Sequence, residues 1–271
     1  MLGVTNVHQP VQHVQNTCQQ TRLERQLAGS NPPTVHIVTH NLVLLPGLLC
    51  DEVLWAGQVG GLADCAQCWI PPALAETTVA EMAARVLREA PFESFALAGL
   101  SMGGYVCMEI MRQAPERVSR LALLDTRATP DLPEETERRR NLIALARSGQ
   151  DIEPIIRRLL PVLLHPENLA DIVLVDAVIG MAKRTGIDAF IRQQHAIISR
   201  PDSRSDLAAI NIPTMVLCGR QDTLTPLAGH QAMADAIAES RLVVIEDAGH
   251  LSTMEQPHAV NQAMRAWLGH S

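Results

Sequence analysis

The sequence predicts an α/β fold: a mostly parallel sheet with helices on both faces and a helical insertion between two of its strands. Three observations carry this. Short apolar runs alternate with helical patterns through residues 35–130 and again through 206–271. Those runs are continuous rather than alternating, as strands buried on both faces must be. Residues 131–205 carry helical patterns only, such as Leu142-Ile143-Leu145-Ala146 and Ile155-Ile156-Leu159-Leu160. A 271-residue chain that is 47% hydrophobic can fill one large core. Residues 1–34 are rich in Gln, Asn and Thr without a sustained period, and read as an N-terminal extension outside that core.

The elements follow in order. His40–Leu45 is a strand that ends in Pro46-Gly47. Cys65–Ile70 is a weaker strand closed by Pro71-Pro72. Thr78-Val79-Ala80-Glu81 has the form of a capping box, and Met82, Val86 and Leu87 continue its helix to about Ala90. Phe95–Gly99 is a strand, and a helix follows Ser101 as far as Ala114-Pro115. Ser119–Leu124 and Thr214–Cys218 are strands; Thr225 caps the next helix with Pro226 at its first position. Leu242–Ile245 is the last strand, and Pro257–Leu268 the last helix. Ligands bind at the carboxyl edge of such sheets, so the 131–205 insertion is expected to form a lid and part of a pocket wall.

Gly99-Leu100-Ser101-Met102-Gly103 lies where a strand turns directly into a helix. This is the setting of a nucleophile elbow: a strained residue at the apex lifts its hydroxyl clear of the sheet. Gly99 and Gly103 leave room across the turn, and the helix N-terminus places positive partial charge behind Ser101. A serine hydroxyl needs a base within hydrogen-bond reach, and that base needs an orienting carboxylate. Ten histidines are available. His8 and His13 lie in the extension, and His36 and His40 come before the apolar part of the first strand. His165 and His195 belong to the insertion, and His230, His258 and His270 fall on or beside helices. His250 follows the last strand after Asp247-Ala248-Gly249, at the carboxyl edge. Asp222 leaves the preceding strand and is the favoured carboxylate, with Asp125 as its rival. The Met102 N–H and the Leu48 N–H, after Pro46-Gly47, are the expected oxyanion donors.

With Leu-Leu-Pro-Gly-Leu-Leu at 44–49, Gly-Leu-Ser-Met-Gly-Gly at 99–104, Gly-Arg-Gln-Asp at 219–222 and Asp-Ala-Gly-His at 247–250, the chain resembles the α/β-hydrolase fold superfamily, in its lidded serine esterase-like branch. The resemblance covers about residues 40–268. It departs from the family pattern at Pro46, where a His usually precedes the oxyanion Gly, and after Cys68, where no Asp-x-x-Gly-x-Gly turn follows. The first two strands of the full fold are not evident before residue 40, so a sheet shortened at its N-terminal part is expected. The resemblance implies hydrolysis of small to medium apolar carboxylic esters through an acyl-enzyme, with no metal and no organic cofactor. Lactonase, thioesterase, carbon–carbon bond hydrolase and perhydrolase chemistry would use the same residues. A non-catalytic ligand-binding module would be expected to have lost part of the triad, and all three members are present.

Composition narrows the partners. A net charge of −7 and 3% aromatics point away from nucleic acid and from an anionic membrane surface, and the partner the resemblance implies is a small-molecule ester substrate. The basic run Arg138-Arg139-Arg140 sits beside Glu134, Glu135 and Glu137 and reads as a solvated helix face. No apolar stretch has transmembrane length and no signal peptide is visible, so a cytoplasmic protein is expected. The six cysteines suit reduced thiols; Cys65-Ala66-Gln67-Cys68 has redox or metal spacing without a second ligand pair. A homodimer is compatible with the sequence, which does not reveal the oligomeric state.

Overall fold

A computed structural model describes residues 39–149 and 151–269. The expected 1–34 extension, with Cys18, lies outside the described residues. Six strands form one sheet: β1 (His40–Leu45), β2 (Ala66–Trp69), β3 (Phe95–Leu100), β4 (Val118–Leu124), β5 (Thr214–Gly219) and β6 (Ser240–Ile245). Their order is β2-β1-β3-β4-β5-β6, and every pairing is parallel. Among the described residues the sheet is thus wholly parallel and six-stranded.

Successive strand residues point to opposite faces, and each face has its own core. Leu42, Leu44, Ala96, Ala98, Leu100, Ala122 and Leu124 pack on one side. Val43, Leu45, Phe95, Leu97, Leu121 and Leu123 pack on the other. Helices α1 (Ala56–Gly61), α2 (Val79–Glu89) and α3 (Met102–Gln113) appear in chain order, α2 and α3 covering the second face through Met82, Val86, Val106 and Ile110. The first face is closed by Trp55 and, after β6, by the last helix. Because both faces are covered, the strands contain almost no polar residues at their centres.

Helices α4 (Pro133–Arg147), α5 (Ile152–Leu163) and α6 (Ile172–Ser199) fill the interval between β4 and β5, with α6 kinked at Gly186 (φ 81). Helices α7 (Leu227–Ala236), α8 (Ser252–Glu255) and α9 (Pro257–Leu268) complete the chain. Helix α9 starts on Pro257 and ends against Gly269 in the left-handed region (φ 88). The Thr78 hydroxyl accepts from the Glu81 N–H, and the Glu81 carboxylate accepts in return from Thr77, with Thr78 also helping to lower its pKa. One expectation needs correction: Thr225 caps no helix. Helix α7 begins at Leu227 with Pro226 at its cap position, because the Thr225 hydroxyl is committed to Asp222.

The turn between β3 and α3 is very tight. A Cβ on Gly103 would sit 2.2 Å from the Leu45 carbonyl oxygen, and one on Gly99 would sit 2.3 Å from that of Gly103. Backbone occupies the space that any side chain needs. Gly103→Ala is expected to destabilise the fold by roughly 3 kcal/mol or more; thermal melting checks this, and an unchanged midpoint contradicts it.

Candidate active site

The strand order reverses between β1 and β3, since the chain adds β2 on one side of β1 and then β3, β4, β5 and β6 on the other. Such a switch point opens a crevice at the carboxyl edge. The loops after β1, β3, β4, β5 and β6 meet there, and they carry Gly47-Leu48, Ser101, Asp125, Asp222 and His250 respectively.

Ser101 occupies the turn at φ 55, ψ −114, a strained region for a residue with a side chain. Its N–H donates to the Leu124 carbonyl at 3.0 Å, and its carbonyl accepts the Thr126 hydroxyl at 2.8 Å. These bonds from the neighbouring strand end hold the backbone in that region. Met102 is the first residue of α3, so its N–H has no carbonyl one turn back in the helix. Gly47 lies against Ser101: a Cβ there would be 3.4 Å from the Ser101 Cβ. The next N–H, that of Leu48, takes no partner among the described residues, whereas the Leu49 N–H donates to the Gln193 side chain at 3.0 Å.

His250 Nε2 stands 2.8 Å from Ser101 Oγ, and His250 Nδ1 stands 2.8 Å from Asp222 Oδ2. Both His250 and Asp222 are buried. Asp222 Oδ1 accepts the Leu224 and Thr225 N–H groups at 2.9 and 3.0 Å, and Oδ2 accepts the Thr225 hydroxyl. Every donor within reach favours the ionised carboxylate. Burial opposes that form, but the His250 charge and these bonds outweigh it and hold Asp222 below the ordinary carboxylate range. For His250, burial works against the imidazolium, and the adjacent Asp222 carboxylate outweighs burial, so its pKa is raised.

Asp125, the rival carboxylate, does not bond the imidazole. Its oxygens accept the Gly219 N–H at 2.8 Å and the Ser252 hydroxyl. Full burial, reinforced by the nearby Asp222 charge, pushes it up to about 8. The sign of the resulting pH effect is definite. The folded state keeps a proton that the unfolded chain, with an ordinary value of 3.8, releases. This group's contribution to stability is full below about pH 4 and is lost as pH rises through about 8. Asp125→Asn should gain melting temperature relative to the parent as pH is raised from 5 to 9; a constant difference contradicts the assignment.

Asp125, Cys218 and Asp222 bring three ligand-type atoms within 4.8 Å. Their carboxylate oxygens are already taken by hydrogen-bond donors, and burial drives the Cys218 thiol well up, so the cluster does not fit a cation. The Cys65/Cys68 spacing likewise leaves two free thiols, with Cys68 pushed up to about 11 by burial. These thiols are inert rather than activated.

Several partners escaped the sequence reading. His230 on α7 accepts the Thr126 N–H at Nε2, 3.0 Å away, and burial lowers its pKa to about 4. A neutral imidazole thus fixes the strand end that holds Ser101. Glu255 accepts the Gly249 N–H at 2.9 Å and the His165 N–H at 2.6 Å, tying the His250 loop to the end of α5. The Leu163 carbonyl accepts the His250 and Leu251 N–H groups at 3.0 and 3.2 Å. Glu255 carries no signature in sequence; Thr225 was visible, but as a cap.

A cavity of about 110 Å³ opens on Ser101 and His250. Leu48, Leu142, Ile156, Leu159, Leu163 and Met181 give it an apolar wall. It also contains Tyr105, Arg139 and Gln194, which were not foreseen. Arg138 and Arg140 are exposed as expected of a solvated helix face, but Arg139 turns inward to Asp131 and Gln194. Tyr105 stands one turn beyond Ser101 on α3, a spacing that could have placed it on the same helix face.

A family model described as alpha/beta hydrolase fold matches residues 66–257. A Mycobacterium tuberculosis protein provisionally named non-heme bromoperoxidase BpoC is 32% identical over 195 residues, covering 70% of this chain and 73% of that one. The 3-oxoadipate enol-lactonase 2 of Acinetobacter baylyi is 27% identical over 168 residues, covering 62% of this chain and 61% of that one. The solved structure of a thermophilic esterase from Thermogutta terrifontis matches with a TM-score of 0.76 at 32% identity, covering 85% of this chain and 89% of that one. No helix among the described residues is long and apolar enough to cross a membrane. Fold, sheet order and sequence likeness agree: the chain belongs to the α/β hydrolase fold family.

Proposed function

We propose that the chain hydrolyses carboxylic esters of small to medium apolar substrates through a Ser101–His250–Asp222 triad. The single observation that carries this is the unbroken relay of two 2.8 Å contacts from Ser101 Oγ through the imidazole to Asp222. Ser101 Oγ attacks the ester carbonyl while His250 Nε2 takes its proton. The developing oxyanion is met by the Leu48 and Met102 N–H groups, and the N-terminus of α3 adds favourable partial charge. His250 then gives the proton to the leaving alcohol. Water, deprotonated by the same imidazole, cleaves the acyl-enzyme and restores Ser101. Asp222 keeps the Nδ1–H tautomer, the only one whose Nε2 lone pair faces the serine. Residues 131–205 act as a lid, since α4, α5 and α6 supply about half of the apolar wall.

A lactone is a cyclic ester and opens by the same steps. Likeness to a protein named enol-lactonase makes lactone opening the second reading. Turnover of p-nitrophenyl esters of graded chain length, run beside a lactone and an acyl thioester, tests the proposal. Ester or lactone hydrolysis with kcat/KM above roughly 10⁴ M⁻¹s⁻¹ is the expected result; no turnover of any of the three classes contradicts it.

The base must be neutral to accept a proton. The His250 pKa lies above the ordinary value of 6.5, so kcat/KM should fall as pH drops through a midpoint above that value. A pH–rate profile flat down to pH 5 would exclude a histidine base.

A further inference from the structure

We infer that the cavity selects esters bearing a carboxylate, held by Arg139, Gln194 and Tyr105. This rests on the ester-hydrolase reading of the same site. The argument begins with Gln194, which is 1% exposed on α6. Its Oε1 accepts from Arg139 Nη1 at 2.9 Å. A guanidinium only donates, so the amide orientation is fixed and Nε2 is the remaining donor. That Nε2 is buried with no partner among the described residues. A buried amide N–H without an acceptor is costly, and a ligand oxygen would relieve the cost.

Arg139 supplies a second donor. Its Nε is committed to Asp131 at 2.6 Å and its Nη1 to Gln194, while Nη2 has no hydrogen-bond partner among the described residues. The Tyr105 hydroxyl also makes no hydrogen bond there, although the ring is fixed under the Arg200 guanidinium, 4.3 Å from its centroid. All three side chains line the cavity that contains Ser101 and His250.

The local charge favours an anion. Among the described residues Asp131 is paired with Arg127, Arg139 and Arg200, and the one cation paired with Glu135 is Arg127. Among the described residues three guanidinium groups therefore face two carboxylates, leaving one positive charge there uncompensated. The planar fork of an arginine beside an amide N–H matches the two oxygens of a carboxylate. The rest of the wall is apolar, so the fitting substrate has a short hydrocarbon stem between its ester carbonyl and its charged end.

The test compares matched esters on the full chain. Mono-p-nitrophenyl glutarate carries the carboxylate on the acyl side and is set against p-nitrophenyl pentanoate. 4-Carboxyphenyl butyrate carries it on the alcohol side and is set against phenyl butyrate. At least one charged ester should exceed its neutral partner by tenfold or more in kcat/KM. Gln194→Glu, which places a negative charge beside the ligand carboxylate, should bring that ratio to one or below, and Tyr105→Phe should lower it several-fold. Arg139→Met serves as a third variant where circular dichroism shows it folded. Charged esters cleaved no faster than their neutral partners, with turnover still dependent on Ser101, overturn the subsite and leave the hydrolase reading intact. If no ester, lactone or acyl thioester is cleaved, the hydrolase reading has failed. Calorimetry of monomethyl glutarate on Ser101→Ala protein then decides the subsite: binding lost on adding Gln194→Glu supports it, and absence of binding overturns it.

Discussion

Ser101→Ala lowers ester turnover by on the order of 10⁴-fold or more while the protein stays folded. The hydroxyl is the only atom removed, and it makes one bond, to His250 Nε2. The structural bonds of this residue run through its backbone, to Leu124 and Thr126, and alanine keeps them. Alanine also accepts the φ of 55 no worse than serine, so the melting temperature should move little. The residual rate would come from the oxyanion donors and from binding alone. Steady-state kinetics beside a thermal melt separates the two effects. A folded variant that keeps most of the turnover contradicts the role given to Ser101.

The second large effect separates two buried aspartates that the sequence offers as rivals. Asp222→Asn should lower kcat by on the order of 10³- to 10⁴-fold. The amide presents an N–H₂ to His250 Nδ1 and drives the imidazole to the tautomer whose Nε2 carries hydrogen. That nitrogen cannot then accept the Ser101 proton. Asp125→Asn should change kcat by less than about tenfold, because Asp125 has a value near 8 and is largely protonated at neutral pH. An asparagine there keeps the acceptor for the Gly219 N–H, and its N–H₂ meets the Ser252 hydroxyl, which then accepts instead of donating. Kinetics on the two variants at pH 7 should differ by at least a hundredfold. The reverse order would give Asp125 the orienting role.

What the sequence disclosed was what is local. Ser101 and its glycines are legible because a strand that turns directly into a helix leaves backbone no space for side chains. His250 follows from the strand rhythm, since among the described residues only the loop after β6 carries a histidine at the sheet's carboxyl edge. Asp125 and Asp222 both follow strands, and periodicity could not say which faces the imidazole. That depends on how the loops after β4 and β5 cross, where Ser252 and Gly219 claim one carboxylate and Thr225 and His250 the other. The polar end of the cavity was hidden for a related reason. Arg139 and Gln194 lie on different helices, and a helical pattern reports which face is buried, not what that face meets. The Arg138–Arg140 run reads as solvated because Glu134, Glu135 and Glu137 flank it, and that pattern carries no sign that Arg139 turns inward.

Covalent capture of the nucleophile tests the central claim most directly. A fluorophosphonate reacts with a serine hydroxyl only where a base and an oxyanion pocket activate it. Intact mass and peptide mapping should show one adduct, on Ser101, absent from Ser101→Ala and suppressed at low pH as His250 becomes protonated. An adduct on any other residue, or no adduct on folded protein at pH 8, would contradict the account.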